Sequence, residues 1–274
     1  MCRDAGVYAI TLYRMASRLG VGPIRPQRTE NDQHTVGALE VTDDIVNQVG
    51  DLIHTRLSAI RPDSRIVLQH PGSTYSTRSS PSADTGGLCW NVDAVAGITN
   101  YRNGHHQWAI SIAATVDGFV VAGAVIAPAR QQLWSAARGE GARLLHERRA
   151  TELNLNEQSE SSSLFAVHDP LSILELPDTE PEWDQRDLRS TGASTLDICD
   201  VASGNLAAIV DPTLRPWDHC TWDAAALIAA EAGALVRLPD TDSAHPSRAS
   251  TPLTIAAPHS VNSALALSEH LLMS

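Results

Sequence analysis

Lysine is absent from this chain: all 20 basic residues are arginine, set against 32 acidic ones. No amine side chain is therefore available for Schiff-base or lysine-nucleophile chemistry. An excess of positive charge is missing too. The formal net charge of −12 and the pI near 5.3 argue against nucleic acid or an anionic membrane surface as partner. No apolar run approaches membrane-spanning length. Met1-Cys2-Arg3-Asp4 lacks the basic-then-apolar order of a leader, so a cytoplasmic protein is expected. The cysteines Cys2, Cys89, Cys199 and Cys220 form no C-x-x-C pair and have no histidine partners at zinc spacing. They read as structural thiols in a reducing compartment. There is no internal repeat, no low-complexity tail and no Rossmann glycine fingerprint.

What is present is enough apolar residue, 43% of 274, for a substantial core. One unit over 1–274 is expected, with an α+β half at 1–150 and an α/β half at 151–274. A weak helical pattern covers Val7–Leu19, and Gly20–Thr35 reads as loop. Thr42 suits a helix cap, Asp43 and Asp44 suit the positive end, and Val46, Val49, Ile53, Leu57 and Ile60 make one stripe. Arg65–Leu68 reads as a strand and the Ser/Gly-rich Pro71–Gly87 as a flap. Gln107–Val116 and Phe119–Ile126 alternate around Asp117-Gly118, a hairpin signal, and Leu133–Ala137 follows as a strand. His146–Ser163 reads as polar loop and Asp169–Asp187 as an acidic, proline-broken surface segment. Beyond Leu164–Val167 the pattern alternates helix and strand. Helices are expected at Thr191–Ser203, Ala224–Ala232 and up to Leu271, and strands at Leu206–Val210, Ala234–Leu238 and Leu253–Ala256.

The rest of the chain is organised around Cys89–Gly104, C-W-N-V-D-A-V-A-G-I-T-N-Y-R-N-G. An apolar strand ends at Gly97 in a turn whose backbone amides suit an anion, with Asp93 beside it. A carboxylate next to an anion calls for a cation between them, the logic of Mg²⁺-assisted phosphate chemistry.

This segment resembles the W-x-x-D-P-[IL]-D-G-T-T-N motif of the inositol monophosphatase-like family, through Trp90, Asp93, Gly97, Thr99 and Asn100. Leu214-Arg215-Pro216-Trp217-Asp218 resembles the family's second motif, G-x-x-[PC]-W-D, and Gly139–Ala142, Gly192–Gly204, Glu231–Gly233 and Ile255–Pro258 extend the likeness. The resemblance implies a layered α-β-α-β-α sandwich, and a homodimer. The departures fall on the chemistry. Ala96 stands where the family has its second motif aspartate, Ile98 where a threonine positions water, and Gln69-His70-Pro71 where it has Gly-Glu-Glu. Of the metal carboxylates the resemblance implies, Asp93 and one aspartate near Trp217 remain, so Mg²⁺ is expected to bind weakly or not at all.

The expected catalytic residues are Asp93, His70 and Asp218. Asp218 is preferred over Asp223, which follows Trp222 and also suits a helix cap. Asp44 matches a family aspartate near the metals, although capping explains it equally. Gly97, Ile98, Thr99, Asp211, Arg102 and His105 are expected to contact the ligand, with His106 more at home in packing or solvent. His70 has the proton affinity for acid–base work near neutrality. The expected function is a repurposed small-molecule biosynthetic enzyme, acting on a sugar-, cyclitol- or nucleotide-like ligand by Asp/His chemistry. A Mg²⁺-dependent phosphomonoesterase with a weakened metal site, and a non-catalytic ligand- or partner-binding relative, are the alternatives.

Overall fold

The computed structural model describes residues 35–70, 74–79, 87–157, 162–168, 179–180, 183–184, 187–214, 218–241 and 249–273. The helix expected over Val7–Leu19 lies outside them.

Helix α1 (Thr35–Ile60) lies on an eight-stranded sheet. Its strands are β1 (Arg65–His70), β2 (Thr74–Ser79), β3 (Leu88–Ala96), β4 (Ala109–Val116), β5 (Phe119–Ala127), β6 (Gln132–Ala137), β7 (Ala142–His146) and β8 (Arg149–Leu153). They run in the order β2-β1-β3-β4-β5-β6-β7-β8, antiparallel except for β1 beside β3. A five-residue helix, α2 (Ile98–Arg102), follows β3.

A second, five-stranded sheet contains β9 (Phe165–Val167), β10 (Leu188–Arg189), β11 (Ala208–Asp211), β12 (Leu235–Arg237) and β13 (Leu253–Ala256), in the order β10-β9-β11-β13-β12. Helices α3 (Ser194–Ala202) and α4 (His219–Glu231) lie between the two sheets, and α5 (Val261–Met273) covers the far face.

Side-chain alternation along the strands explains the layering, because a strand sends successive residues to opposite faces. On β4, Ile110, Ile112 and Ala114 join Ile53 and Leu57 of α1, while Ala109 and Ala113 join Leu196 of α3 and Ile228 of α4. On β9, Ala166 faces the central helices, and Phe165 and Val167 face Ala264 and Leu267 of α5. The result is five layers, α-β-α-β-α, as the resemblance implied.

The central layer is held tightly. A Cβ on Gly123 would lie 2.8 Å from the Ala224 Cα, so α4 seats its backbone directly on β5. Trp90 and Trp134 are fully buried, and their indole N–H groups donate to the Ser64 and Ser203 hydroxyls.

Several element boundaries differ from expectation. Helix α1 begins at Thr35, so Thr42 lies inside it; once the Val46–Leu57 stripe is buried, further helical turns cost little. Part of the Pro71–Gly87 flap is strand β2, paired residue for residue with β1. The polar stretch after Leu145 contains a hairpin, β7–β8, turning through Glu147 and Arg148 at φ 48° and 68°. Glu-Arg carries none of the Asn-Gly signal such a turn normally shows. Helix α4 starts at His219, five residues ahead of the expected Ala224, with Asp218 at its N-cap position.

Candidate active site

Asp93 sits inside β3, three residues before its end. Between Asp93 and Ala96 the pairing with β4 shifts, Asp93 facing Ser111 and Ala96 facing Ala109, which inserts one extra residue into β3. Bulges of this kind re-aim side chains beside functional sites. Here the Val95 N–H turns back onto the Asp93 Oδ1 at 3.1 Å.

The other Asp93 oxygen, Oδ2, lies 3.1 Å from the hydroxyl of Thr221, in the first turn of α4. That hydroxyl is also 2.7 Å from the side-chain oxygen of Gln69, which pairs with Asp93 across the parallel β1–β3 ladder. A hydroxyl carries one proton and cannot serve both acceptors at once. When it serves Gln69, only a protonated Asp93 can complete the chain Asp93–Thr221–Gln69. Burial pushes the Asp93 carboxyl up to about 6, helped by the negative charge of Asp218 and opposed by the Thr221 and Val95 contacts. Asp93 therefore titrates where a proton-transfer group is useful at neutral pH.

Asp218 is buried at the mouth of α4, within electrostatic reach of Asp93. Asp223 faces a different way. Its Oδ2 accepts from the Asn91 amide at 2.7 Å and lies 3.5 Å from His219 Nδ1. Of the two Trp-Asp candidates, Asp218 is the one beside Asp93.

Gly97 has φ 81°, and a Cβ there would come within 2.8 Å of the Gln107 carbonyl. Only glycine fits, for a reason internal to the chain. Asn100 ties the turn down by donating to the Gln107 and Thr191 carbonyls at 2.9 and 2.8 Å. Ile98 is half-buried against the α1-side core, Thr99 is exposed and Arg102 is half-buried. His105 and His106 are exposed in the following loop. His70 ends β1 opposite Thr74, and its side chain and that of Asp44 lie outside the described part.

Asp211 belongs to a neighbouring cluster at the ends of β9 and β11. Its carboxylate accepts from the Ser194 hydroxyl, the Thr213 amide and hydroxyl, and the Leu214 amide. Nearby, His168 Nε2 meets Asp197 Oδ2 at 2.5 Å, and the Thr191 hydroxyl donates to the same oxygen. Burial pulls the His168 imidazole down, but the Asp197 hydrogen bond and the Asp211 and Asp197 charges outweigh it and leave it raised. The Thr195 hydroxyl on α3 donates to the Thr221 carbonyl at 2.7 Å, joining this cluster to the Asp93 group.

The sequence model of the inositol monophosphatase family matches residues 11–271. The chain belongs to this family. It is 32% identical to the inositol-1-monophosphatase of Mycobacterium leprae over 244 residues, covering 87% of this chain and 78% of that one. It is 30% identical to the Nus factor SuhB of Haemophilus influenzae over 182 residues, 64% of this chain and 63% of that one. Among solved structures, Mycobacterium tuberculosis SuhB superposes with a TM-score of 0.60 at 29% identity, covering 86% and 92% of the two chains. An IMPase from Thermotoga maritima shares the fold, with a TM-score of 0.61 at 20% identity over 83% and 82%.

The family membership implies Mg²⁺, and the donors around Asp93 do not fit it. Mg²⁺ demands near-octahedral oxygen ligation anchored by carboxylates. Here only one further carboxylate, Asp218, stands near Asp93; the groups bonded to Asp93 or paired beside it are a threonine hydroxyl, an amide and a backbone N–H, and Ala96 offers no side-chain oxygen. Among the described residues, no three His, Cys, Asp or Glu side chains gather as a metal site.

Thr221, His168 and Asp197 were not expected at the site, and Gln69 was expected there only as a departure from the family's Gly-Glu-Glu. Gln69 and Thr221 meet Asp93 only through the parallel strand register and the early start of α4, and neither residue type announces chemistry. His168, following an apolar strand in the second half, was the one available signal.

Proposed function

We propose that this member of the inositol monophosphatase family binds a small anionic or polyhydroxylated molecule beside Asp93 without running Mg²⁺-dependent phosphoester hydrolysis. It is a repurposed biosynthetic enzyme whose Asp93 exchanges a proton with its ligand, Asp218 setting the local field. The observation that carries this reading is the Thr221 hydroxyl bridging Asp93 and Gln69, in a place where hydrolysis would need a cation. A catalytic carboxyl with a pKa of about 6 supports proton transfer at neutral pH. Homodimer assembly and a cytoplasmic location are part of the same proposal. No described helix is long and apolar enough to cross a membrane.

The test is phosphate release from inositol 1-phosphate with and without Mg²⁺, alongside thermal shift with the same compound in chelator. We expect no Mg²⁺-dependent release and a raised melting temperature in chelator. Robust Mg²⁺-dependent turnover overturns the reading. The variant Gln69→Glu/Ala96→Asp/Thr221→Asp places carboxylates around Asp93, and calorimetry should show it gaining Mg²⁺ affinity over the parent.

A second reading is a non-catalytic partner-binding role, favoured by the relatives named Nus factor SuhB and by the same non-ligating donors. The net charge of −12 predicts no direct binding of a nucleic-acid probe in a mobility-shift assay. A specific shift, together with no turnover of any ligand, would select this second reading.

A further inference from the structure

A cavity of about 640 Å³ opens at the N-terminal end of β3, among the starts of β1 and β3, the β4–β5 turn and the first turns of α4. Asp93 does not line it, and the volume is in the range of small-molecule sites. Asn91 and Asp223 form a buried polar patch in its wall, and they satisfy each other at 2.7 Å, with His219 beside the same carboxylate oxygen. One oxygen of the Asp223 carboxylate is thus hydrogen-bonded within the protein.

Two exposed arginines also line the cavity, Arg65 and Arg138. Arg138 Nε donates to the Val120 carbonyl at 2.7 Å, and neither arginine forms an ion pair among the described residues. On a chain of net charge −12, two such guanidiniums lining one cavity are the unusual sign. The lining also has apolar side chains: Phe119 and Leu238 are 62% and 42% exposed. Trp222 is buried in the wall, its indole N–H without an acceptor.

We propose that this cavity is a second binding site, separate from the Asp93 site, for an organic oxyanion: a carboxylate or phosphate carried on an apolar or aromatic body. The guanidiniums take the oxyanion as charge-assisted hydrogen-bond donors. Phe119, Leu238 and Trp222 cover the apolar body, which gains by leaving water.

The experiment is a titration of the full chain with phenylphosphonate, followed by tryptophan fluorescence and calorimetry, with inorganic phosphate and phenol as half-probes. Phenylphosphonate should bind saturably and more tightly than either half-probe. Arg65→Gln/Arg138→Gln should weaken it about tenfold or more. Phe119→Ser should weaken phenylphosphonate and leave inorganic phosphate unchanged. These side chains are exposed, so an unaltered circular dichroism spectrum is expected for each variant. Inositol 1-phosphate should not displace the probe. Lack of saturable binding, indifference to the arginine double substitution, or full displacement by inositol 1-phosphate overturns the proposal.

Discussion

Asp93 shows how burial, the largest of several influences, can retune a carboxyl. Its raised pKa means the folded protein holds the proton more tightly than the unfolded chain does. The sign follows. At low pH, where both states are protonated, the group costs nothing; as pH rises from about 4 through about 6 the folded state alone resists ionisation, and stability is lost. A shift of about two units corresponds to about 3 kcal/mol at neutral pH. Asp93→Asn keeps an acceptor for the Val95 N–H and adds a donor for Thr221. It should therefore raise the melting temperature at about pH 8 and leave it nearly unchanged at about pH 4. Equal stabilisation at both pH values would show that charge burial is not the cause. Asp93 itself was legible in the sequence, because its motif context is specific. Its partners were not: Thr221 and Gln69 acquire meaning only from strand register and from where α4 starts. Asp223 carried the same Trp-Asp signature as Asp218; the sequence favoured Asp218, and the geometry turns Asp223 toward Asn91.

Elements are fixed more by what they pack against than by their own ends. The apolar alternation of β4, β5 and β6 and the Asp117-Gly118 turn were readable, since period and turn chemistry are local properties. The starts of α1 and α4 were not, because burial carries a helix past a plausible cap. Nor was the β7–β8 hairpin, whose Glu147-Arg148 turn is imposed by its strands. Gly123 is the sharpest element-level constraint. Its missing Cβ lets α4 approach β5 backbone to backbone, and the atoms a side chain would strike are the Ala224 Cα and carbonyl oxygen. Neither can rotate aside. Gly123→Ala, although a gain in intrinsic strand stiffness, should thus destabilise by about 1–3 kcal/mol through overpacking. Chemical denaturation measures this directly, and a neutral or stabilising result would mean the central layer has slack. The shift would reach the site as well, since α4 carries both Asp218 and Thr221 in its first turns.

At the scale of the whole molecule the dominant fact is charge. With 32 acids against 20 arginines, the folded chain compresses a net −12 into a compact volume, and that self-repulsion opposes folding. Attractive pairs that oppose it include the partly buried Arg130–Asp200 at 2.6 Å, the buried His168–Asp197 at 2.5 Å and the exposed Arg143–Glu152 at 3.2 Å. The exposed pair contributes at most about 1 kcal/mol. Arg130 is better held: it meets Asp200 through two hydrogen bonds and lies over the Trp134 ring, partly shielded from salt. Raising NaCl from about 0.01 M to about 0.5 M shortens the screening length from about 30 Å to a few ångströms. That should relieve the long-range repulsion while barely touching the Arg130 pair. The melting temperature at about pH 8 should then rise by a few degrees. Near the pI of about 5.3, protonated histidines and carboxylates cancel most of the net charge, and the same salt step should change little. The buried Asp93 cost is not screened, so Asp93→Asn should show the same salt response as the parent at each pH. A melting temperature that falls with salt at pH 8 would show that attractive pairs, rather than the net charge, set the electrostatic balance of this fold.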